Sequence, residues 1–198
     1  MSAARQDQRS GVATPEPAVA PVGADTVVLA PMRRRHLRGV LAIEQQTNHR
    51  PWSLGLFLGE LRMPTSRSYA VALEGHRVVG FAGLMVTADG GHLTNIAVHP
   101  DHRRQGIADR LMLVTMREAR RRRLESVTLE VRMSNDGAQQ LYRRFGFAPG
   151  GIRRNYYADV GEDGLIMWAH GIDEDRYVDR LDAIEATLRH PLVTEGFA

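Results

Sequence analysis

The sequence contains no cysteine and no lysine. All 26 basic residues among the 198 are arginine. Without cysteine the chain can form no disulfide framework, no thiolate metal site and no cysteine nucleophile, which is compatible with a reducing cytosol. We attribute the absence of lysine to GC-rich coding, so it carries no functional conclusion.

Long apolar runs are also scarce. The longest, from Val78 to Val86, is interrupted by glycines and is far shorter than the roughly 20 residues of a membrane-spanning helix. The N-terminus lacks the apolar stretch of a secretory signal peptide. We therefore expect a soluble, cytoplasmic protein with no membrane partner. The eight histidines show no ligand spacing such as HExxH, so no metal is expected.

The length and the 43% hydrophobic content suit one domain with tails. Residues 1–25 are rich in alanine, proline and glycine and carry few large apolar side chains, which is typical of a disordered tail. The folded domain is predicted over residues 26–172. Residues 173–198 are predicted to form a helical extension, with an amphipathic pattern that stops at Pro191.

Periodicity predicts the order of elements within the domain. Strands are predicted at 26–29, 69–73, 78–86, 92–98, 126–132 and 164–170, and helices at 37–46, within 50–61, at 106–123 and at 138–145. Ser134, Asn135 or Asp136 can cap the last of these helices. A strand, helices, an antiparallel run of strands and then strand–helix alternation predict a mixed α/β sheet with helices on its faces.

The stretch "LTNIAVHPDHRRQGIADRLM", residues 93–112, predicts a strand, a loop and a helix start. The first amides of a helix have no partner within it and carry partial positive charge. Gly106 and Ala108 leave the approach to them open, and Arg103 and Arg104 add charge. The stretch therefore favours a phosphate-binding site, although an ordinary turn would also explain the glycine by itself.

Motifs in this stretch and elsewhere resemble one enzyme family. "RRQGIA" matches the R/Q-x-x-G-x-G/A pyrophosphate loop of the GCN5-related N-acetyltransferase (GNAT) superfamily, and "NIAVHP" resembles its bulged strand. With "IEQ", "PWS", "LEVRMSN", "LYRRFGF" and "IRRNYY" in order, residues 26–170 resemble the RimI-type ribosomal-protein alanine N-acetyltransferases. The resemblance implies a mostly antiparallel twisted sheet with a splayed, bulged strand and helices on both faces.

The resemblance also implies acetyl-CoA as cosubstrate and a set of site residues. Those expected at the cofactor are Ile96, Ala97, Val98, Arg103, Arg104, Gln105, Gly106, Ile107, Ala108, Asp109 and Asn135. Those expected at the acceptor peptide are Trp52, Arg154, Tyr156 and Tyr157. The residues by themselves would also suit a core anchor at Trp52 and an edge-strand aromatic pair at Tyr156 and Tyr157. Ala108 stands where the family more often has glycine, which is within the pattern.

The resemblance implies that Glu130 is the catalytic base and Tyr142 the acid for the leaving thiolate. The residues by themselves leave other interpretations open. Glu130 could be a strand carboxylate paired with Arg132 or a neighbouring arginine, since structural ion pairs are common. Tyr142 lies on the stripe of Leu141 and Phe145 and could simply belong to the core.

The implied reaction is direct acetyl transfer to a protein N-terminal α-amine, most specifically the N-terminal alanine of ribosomal small-subunit protein eighteen. One alternative keeps the chemistry but acts on other N-termini, on lysine or on small amines. Another is a non-catalytic module that binds ribosome or RNA through the arginine run at 117–123. We interpret that run as a solvated helix end and expect no direct nucleic-acid partner.

Overall fold

A computed structural model describes residues 26–197, so the predicted N-terminal tail lies outside the described residues. The strands are β1 (Val27–Pro31), β2 (Arg67–Glu74), β3 (Arg77–Thr87), β4 (Gly90–Val98), β5 (Ser126–Arg132), β6 (Ala148–Tyr157), β7 (Glu162–His170) and β8 (Val193–Thr194). The α-helices are α1 (Leu37–Thr47), α2 (Leu54–Glu60), α3 (Ile107–Arg121), α4 (Asp136–Arg144) and α5 (Asp175–Ala186).

These strands form one sheet in the order β6-β7-β5-β4-β3-β2-β1-β8. Neighbouring strands are antiparallel except for β4 with β5 and β1 with β8, which run parallel. The parallel β4–β5 pair is connected through α3, as a crossover connection requires. The predicted mixed α/β sheet, mostly antiparallel, is therefore confirmed.

Helices cover both faces of the sheet. Phe81 of β3 packs in a buried cluster with Phe57 of α2, whereas its neighbour Ala82 packs in another with Leu111 of α3. Successive strand residues point to opposite faces, so α2 and α3 lie on opposite sides of β3. This burial on both faces explains why β3 is a continuous apolar run. None of the helices in residues 26–197 combines the length and apolar character that a bilayer span requires.

The sheet opens between β4 and β5. Their pairing ends at His92 and Thr128, and beyond these residues the two strands diverge. β4 also carries a bulge, because the register of its pairing with β3 shifts at Thr94. The carboxyl ends of β4 and β5, at Val98 and Arg132, lead towards α3 and α4. The opening therefore lies beside the N-termini of two helices.

β6 is an edge strand that the periodicity did not predict. Its sequence "APGGIRRNYY" does not alternate, since nearly all of its side chains are exposed and no face needs to be apolar. Its register with β7 shifts after Pro149 and again after Arg153. The last five residues of β6 are the predicted acceptor-side segment, which thus lies on an exposed edge.

Residues 173–197 pack against the rest of the molecule. Three apolar side chains of α5 share a buried cluster with α3 and α4: Tyr177, Leu181 and Ile184. The helix is shorter than the predicted extension, and after Pro191 the chain adds β8 to the sheet beside β1. The division at residue 172 stays a prediction, but the segment beyond it contributes to the core.

Candidate active site

The loop between β4 and α3 is built to expose backbone amides. A short 3₁₀ turn, Pro100–His102, follows β4, and two residues then take left-handed conformations, Arg104 at φ 63° and Gly106 at φ 74°. Gly106 is the N-cap of α3 and lends no side chain to the cap. Glycine adopts this conformation without the steric cost that other residues have. The left-handed conformation of Gly106 lets the chain pass directly from the loop into the first turn of α3.

The amides of this loop are free to bind a ligand. Within residues 26–197, no acceptor receives a hydrogen bond from the amide groups of Arg104 through Asp109. A Cβ atom added to Gly106 would meet nothing within 4 Å. Arg103, Arg104 and Gln105 are exposed. Open space, unpaired amides and positive charge fit a diphosphate group.

The other predicted cofactor residues lie on elements around the same opening. Ile96, Ala97 and Val98 pair with β3 along one edge, and their other edge faces the divergence from β5. Ile107 is buried in the core, so only its backbone can serve a ligand. Asn135 caps α4, its Oδ1 accepting from the Ala138 amide at 3.1 Å.

Two further cofactor predictions concern the first turn of α3. The Ala108 side chain is half-buried and adds little bulk to that turn. The Asp109 carboxylate forms an ion pair with Arg144 of α4 at 2.8 Å. Asp109 therefore offers its amide rather than its side chain to an anion.

Glu130 lies on the diverging part of β5, and each of its carboxylate oxygens has a basic side chain beside it. Its Oε1 receives a 2.7 Å hydrogen bond from Arg153 of β6, and its Oε2 lies 3.4 Å from Nε2 of His92. The side chain is only 11% exposed. The arginine partner considered first, Arg132, instead lies 5.0 Å from the ring centre of Tyr157. Sequence proximity favoured Arg132, but strand pairing brings Arg153 closer.

Tyr142 lies in the core beside the opening. It is 6% exposed, and its ring centre is 5.9 Å from that of Phe147. Burial raises the pKa of its hydroxyl, and Tyr157 raises it further, so the group keeps its proton at any physiological pH. The position is compatible with both interpretations, a packed core residue and a proton donor.

The predicted acceptor-side residues lie on two segments. Trp52 is half-buried, and its ring centre is 5.3 Å from that of Phe57. Tyr156 is exposed and packs edge-on against Tyr157, with 5.1 Å between ring centres. Arg154 forms an ion pair with Asp163, with 2.8 Å between the guanidinium nitrogen and the carboxylate oxygen.

One ion pair connects the two segments. Arg50, just before Trp52, lies 3.9 Å from Asp159 in the β6–β7 turn. The loop before α2 and the β6–β7 turn are therefore neighbours, although more than 100 residues separate them in the sequence. Their proximity is what a groove shared by both segments requires.

A model of the acetyltransferase (GNAT) family matches residues 34–147, more than half of the chain. The chain belongs to this family. The resemblance and the enzyme class inferred from the sequence, an N-acetyltransferase, are confirmed.

Individual relatives agree with the family. The ribosomal protein bS18-alanine N-acetyltransferase of Escherichia coli (strain K12) is 38% identical over 130 residues, 63% of this chain and 84% of that protein. A Bacillus subtilis (strain 168) protein, whose name assigns it the same reaction provisionally, is 38% identical over 138 residues, 69% of this chain and 91% of its own length.

Solved structures agree as well. A crystal structure of the bS18-alanine N-acetyltransferase from Escherichia coli superposes with a TM-score of 0.67 at 32% identity, covering 74% of this chain and 94% of that one. Ard1 from Thermoplasma volcanium has the same TM-score at 27% identity, covering 73% and 97%. The predicted GNAT fold is therefore confirmed.

In this acetyltransferase, the sequence analysis missed a buried carboxylate near the predicted acceptor-side residue Trp52. Glu44 of α1 is 2% exposed, and its Oε1 accepts hydrogen bonds from the Trp52 amide at 3.1 Å and from Asn48 Nδ2 at 2.9 Å. These bonds hold the α1–α2 loop, which carries Trp52. The available signal was a charged residue directly after Ile43 on the buried stripe of α1. His92 and Arg153 were also missed as neighbours of Glu130.

The arginine run of this acetyltransferase is largely paired within the chain. Arg117 contacts Asp182 and Glu185 of α5, and Arg120 donates to carbonyl groups of Ile172 and Glu174. Arg121 and Arg122 both contact Glu118. These contacts explain the run as helix surface and docking site for α5. That it binds no nucleic acid stays a prediction.

Proposed function

We propose that this protein transfers the acetyl group of acetyl-CoA to the α-amine of the N-terminal alanine of ribosomal protein bS18. One observation carries the choice of acceptor: the 38% identity to the Escherichia coli enzyme named for that reaction, which extends over 84% of that enzyme's length. We place the reaction in the cytoplasm, with a protein N-terminus as the partner and no membrane or nucleic acid involved.

The amides from Arg104 to Asp109 would hold the diphosphate of acetyl-CoA, and Arg103, Arg104 and Gln105 would add side-chain contacts. Two observations support this role: within residues 26–197 these amides donate no hydrogen bond to the protein, and the space in front of Gly106 is open. The free edge of Ile96, Ala97 and Val98 would bind the pantetheine arm, and Asn135 would contact the cofactor from α4. Bound acetyl-CoA supplies an activated thioester carbonyl.

Glu130 would accept the proton that the amine loses as the new C–N bond forms. An α-amine has an ordinary pKa of about 7.7 to 8.0, so part of it is already neutral at physiological pH and a modest base suffices. Tyr142 would give a proton to the sulfur as the C–S bond breaks. Its raised pKa keeps that proton in place until the thiolate develops.

The acceptor peptide would lie between the α1–α2 loop and the edge formed by β6. The exposed ring of Tyr156, the half-buried rings of Trp52 and Tyr157, and the guanidinium of Arg154 would line this groove. The Arg50–Asp159 pair supports the arrangement because it connects the two walls. We propose residues 26–172 as the catalytic domain and residues 173–198 as its extension.

A peptide panel tests the proposal. Purified protein and acetyl-CoA are mixed with four acceptors: the bS18 N-terminal peptide, the same peptide already acetylated, a blocked peptide with one lysine, and a small polyamine. Thiol release and mass spectrometry should report transfer to the first acceptor only.

Other outcomes would contradict the proposal. Faster transfer to lysine or to the polyamine would show the acceptor to be wrong. No thiol release with any acceptor would favour the non-catalytic alternative.

A further inference from the structure

The proposed base, Glu130, has a different neighbour on each carboxylate oxygen. Arg153 occupies Oε1 at 2.7 Å, which leaves Oε2 as the oxygen that can accept a proton without losing that hydrogen bond. His92 Nε2 lies 3.4 Å from this second oxygen. The distance is longer than an aligned hydrogen bond, but catalytic hydrogen bonds are often long before substrate binds.

His92 is placed at the apex of the opening. It is the last residue of β4 that pairs with β5, opposite Thr128, so its backbone is held while the strands diverge beyond it. Its side chain is 21% exposed, and no hydrogen bond to Nδ1 is found within residues 26–197. The imidazole therefore contacts the carboxylate with one nitrogen, and the ring as a whole is partly exposed to solvent.

The groups around this pair come from neighbouring strands. Glu130 faces His92 from β5. Arg153, Tyr156 and Tyr157 of β6 lie near Glu130. Opposite His92 on β3 is Met85, which does not titrate. Burial lowers the pKa of His92, the Glu130 charge opposes this, and the Arg153 charge lowers it further. The imidazole is therefore neutral near pH 7 and can accept a proton.

We infer that His92 is the relay partner of Glu130 and carries the acceptor amine's proton from the carboxylate to solvent. The inference rests on the proposed acetyl transfer. The proton passes from the amine nitrogen to Oε2 of Glu130 and then to Nε2 of His92, and an equivalent proton leaves Nδ1 for water. An ordinary carboxylic acid is a stronger acid than an ordinary imidazolium, which favours the transfer, and the burial that lowers the pKa of His92 narrows this difference. Glu130 then returns to its ion pair with Arg153.

A substitution with a pH profile tests the relay. His92→Gln should lower kcat by about a hundredfold, a typical loss for a proton-transfer group. It should also remove the acidic fall in kcat that protonation of His92 causes in the wild type. The KM for acetyl-CoA should stay unchanged, because the diphosphate loop is separate from His92.

The matched control is His170→Gln, an exposed histidine at the end of β7, which should keep both the rate and the pH profile. Thermal unfolding and coenzyme A binding verify that each variant is folded. A folded His92→Gln enzyme with the wild-type rate and acidic limb would overturn the relay. A wild-type enzyme that does not acetylate the bS18 peptide would instead overturn the proposed function.

A second measurement tests the coupling of His92 to Glu130 and Arg153 and needs no acceptor peptide. The ring resonances of His92 are titrated by NMR in the wild type, in Glu130→Gln and in Arg153→Gln. Loss of the Glu130 charge should lower the pKa of His92, and loss of the Arg153 charge should raise it. A pKa that stays the same in both variants would show that the groups are not coupled and would overturn the inference.

Discussion

Two tyrosines in one buried cluster have hydroxyl groups with different surroundings. The Tyr177 hydroxyl donates a 2.6 Å hydrogen bond to the carbonyl oxygen of Phe145. No hydrogen bond joins the Tyr142 hydroxyl to another residue within residues 26–197, and burial raises its pKa. The Tyr142 hydroxyl is thus not used in a contact within the described chain, which leaves it available as a proton donor.

Tyr142→Phe should therefore separate activity from stability. We expect kcat to fall about a hundredfold, because the departing sulfur loses its proton donor. The free energy of unfolding should change by less than about 1 kcal/mol, since the ring and its contact with Phe147 remain. Initial rates of thiol release and urea unfolding measure the two quantities.

Tyr177→Phe is the matched control and should behave in the opposite way. It should lose about 1 kcal/mol of stability, because the Phe145 carbonyl loses its donor, and keep its kcat. Full turnover in Tyr142→Phe would contradict the proposed acid and leave Tyr142 as a core residue.

At the scale of the element, the start of α3 depends on backbone conformation more than on side chains. Gly106 and Gly75 are both in the left-handed region, at φ 74° and 57°, and a Cβ at either would meet nothing within 4 Å. Gly75 is in the β2–β3 turn and is not one of the predicted cofactor residues. Substitutions at these two glycines therefore distinguish the effect of backbone strain from a specific effect on coenzyme A binding.

Gly106→Val should weaken coenzyme A binding by about tenfold or more, which corresponds to about 1.4 kcal/mol. The side chain would occupy the open space in front of the amides and strain the cap. Gly75→Val has a similar conformational cost, about 1 to 2 kcal/mol, but should keep its affinity. Isothermal titration calorimetry provides both values. Equal affinities in the two variants would mean that the diphosphate does not lie at this loop.

At the scale of the whole molecule, the C-terminal segment belongs to the core. Leu181 is 1% exposed and packs with α3 and α4, whereas Leu54 at the start of α2 is 48% exposed. Leu181→Ala should lower the free energy of unfolding by about 2 to 5 kcal/mol, because it leaves a cavity. Leu54→Ala should change it by no more than about 0.5 kcal/mol. Similar small losses in both variants, measured by urea unfolding, would show that α5 is dispensable.

The stability of the whole molecule should also depend on pH through two histidines. Burial is the main cause that lowers the pKa of both His36 and His92 below the ordinary value of 6.5. In the unfolded chain these groups bind protons first as the pH falls, so protonation favours unfolding. The part of the free energy of unfolding that comes from these two neutral histidines is fully present above about pH 6.5. It is lost as the pH falls from there through their lowered pKa values.

Urea unfolding at pH 7.5 and pH 5.0 checks this dependence. His36→Gln should reduce the difference between the two pH values, since the substituted side chain does not titrate. An unchanged difference in this variant would mean that His36 is protonated equally in the folded and unfolded chains.

Much of the fold and part of the candidate site could be predicted from local sequence. Apolar periodicity located α1, α3 and most strands, because each element buries one face and its side chains repeat accordingly. The conformation of Gly106 and the open amides around it follow from a short motif, since a helix start requires only adjacent residues. Glu130 stood out as a carboxylate within an apolar strand.

Only the tertiary structure decided which distant residues meet. His92 and Arg153 flank Glu130 because of the register of β4, β5 and β6, and the sequence carries no local signal of that register. β6 was missed because an exposed edge strand needs no alternation, and the docking of α5 depends on a surface that α3 and α4 form together. The sequence by itself determined the elements and the anion loop, whose causes are local. The partners of the carboxylate were decided by pairing across the sheet, which is long-range.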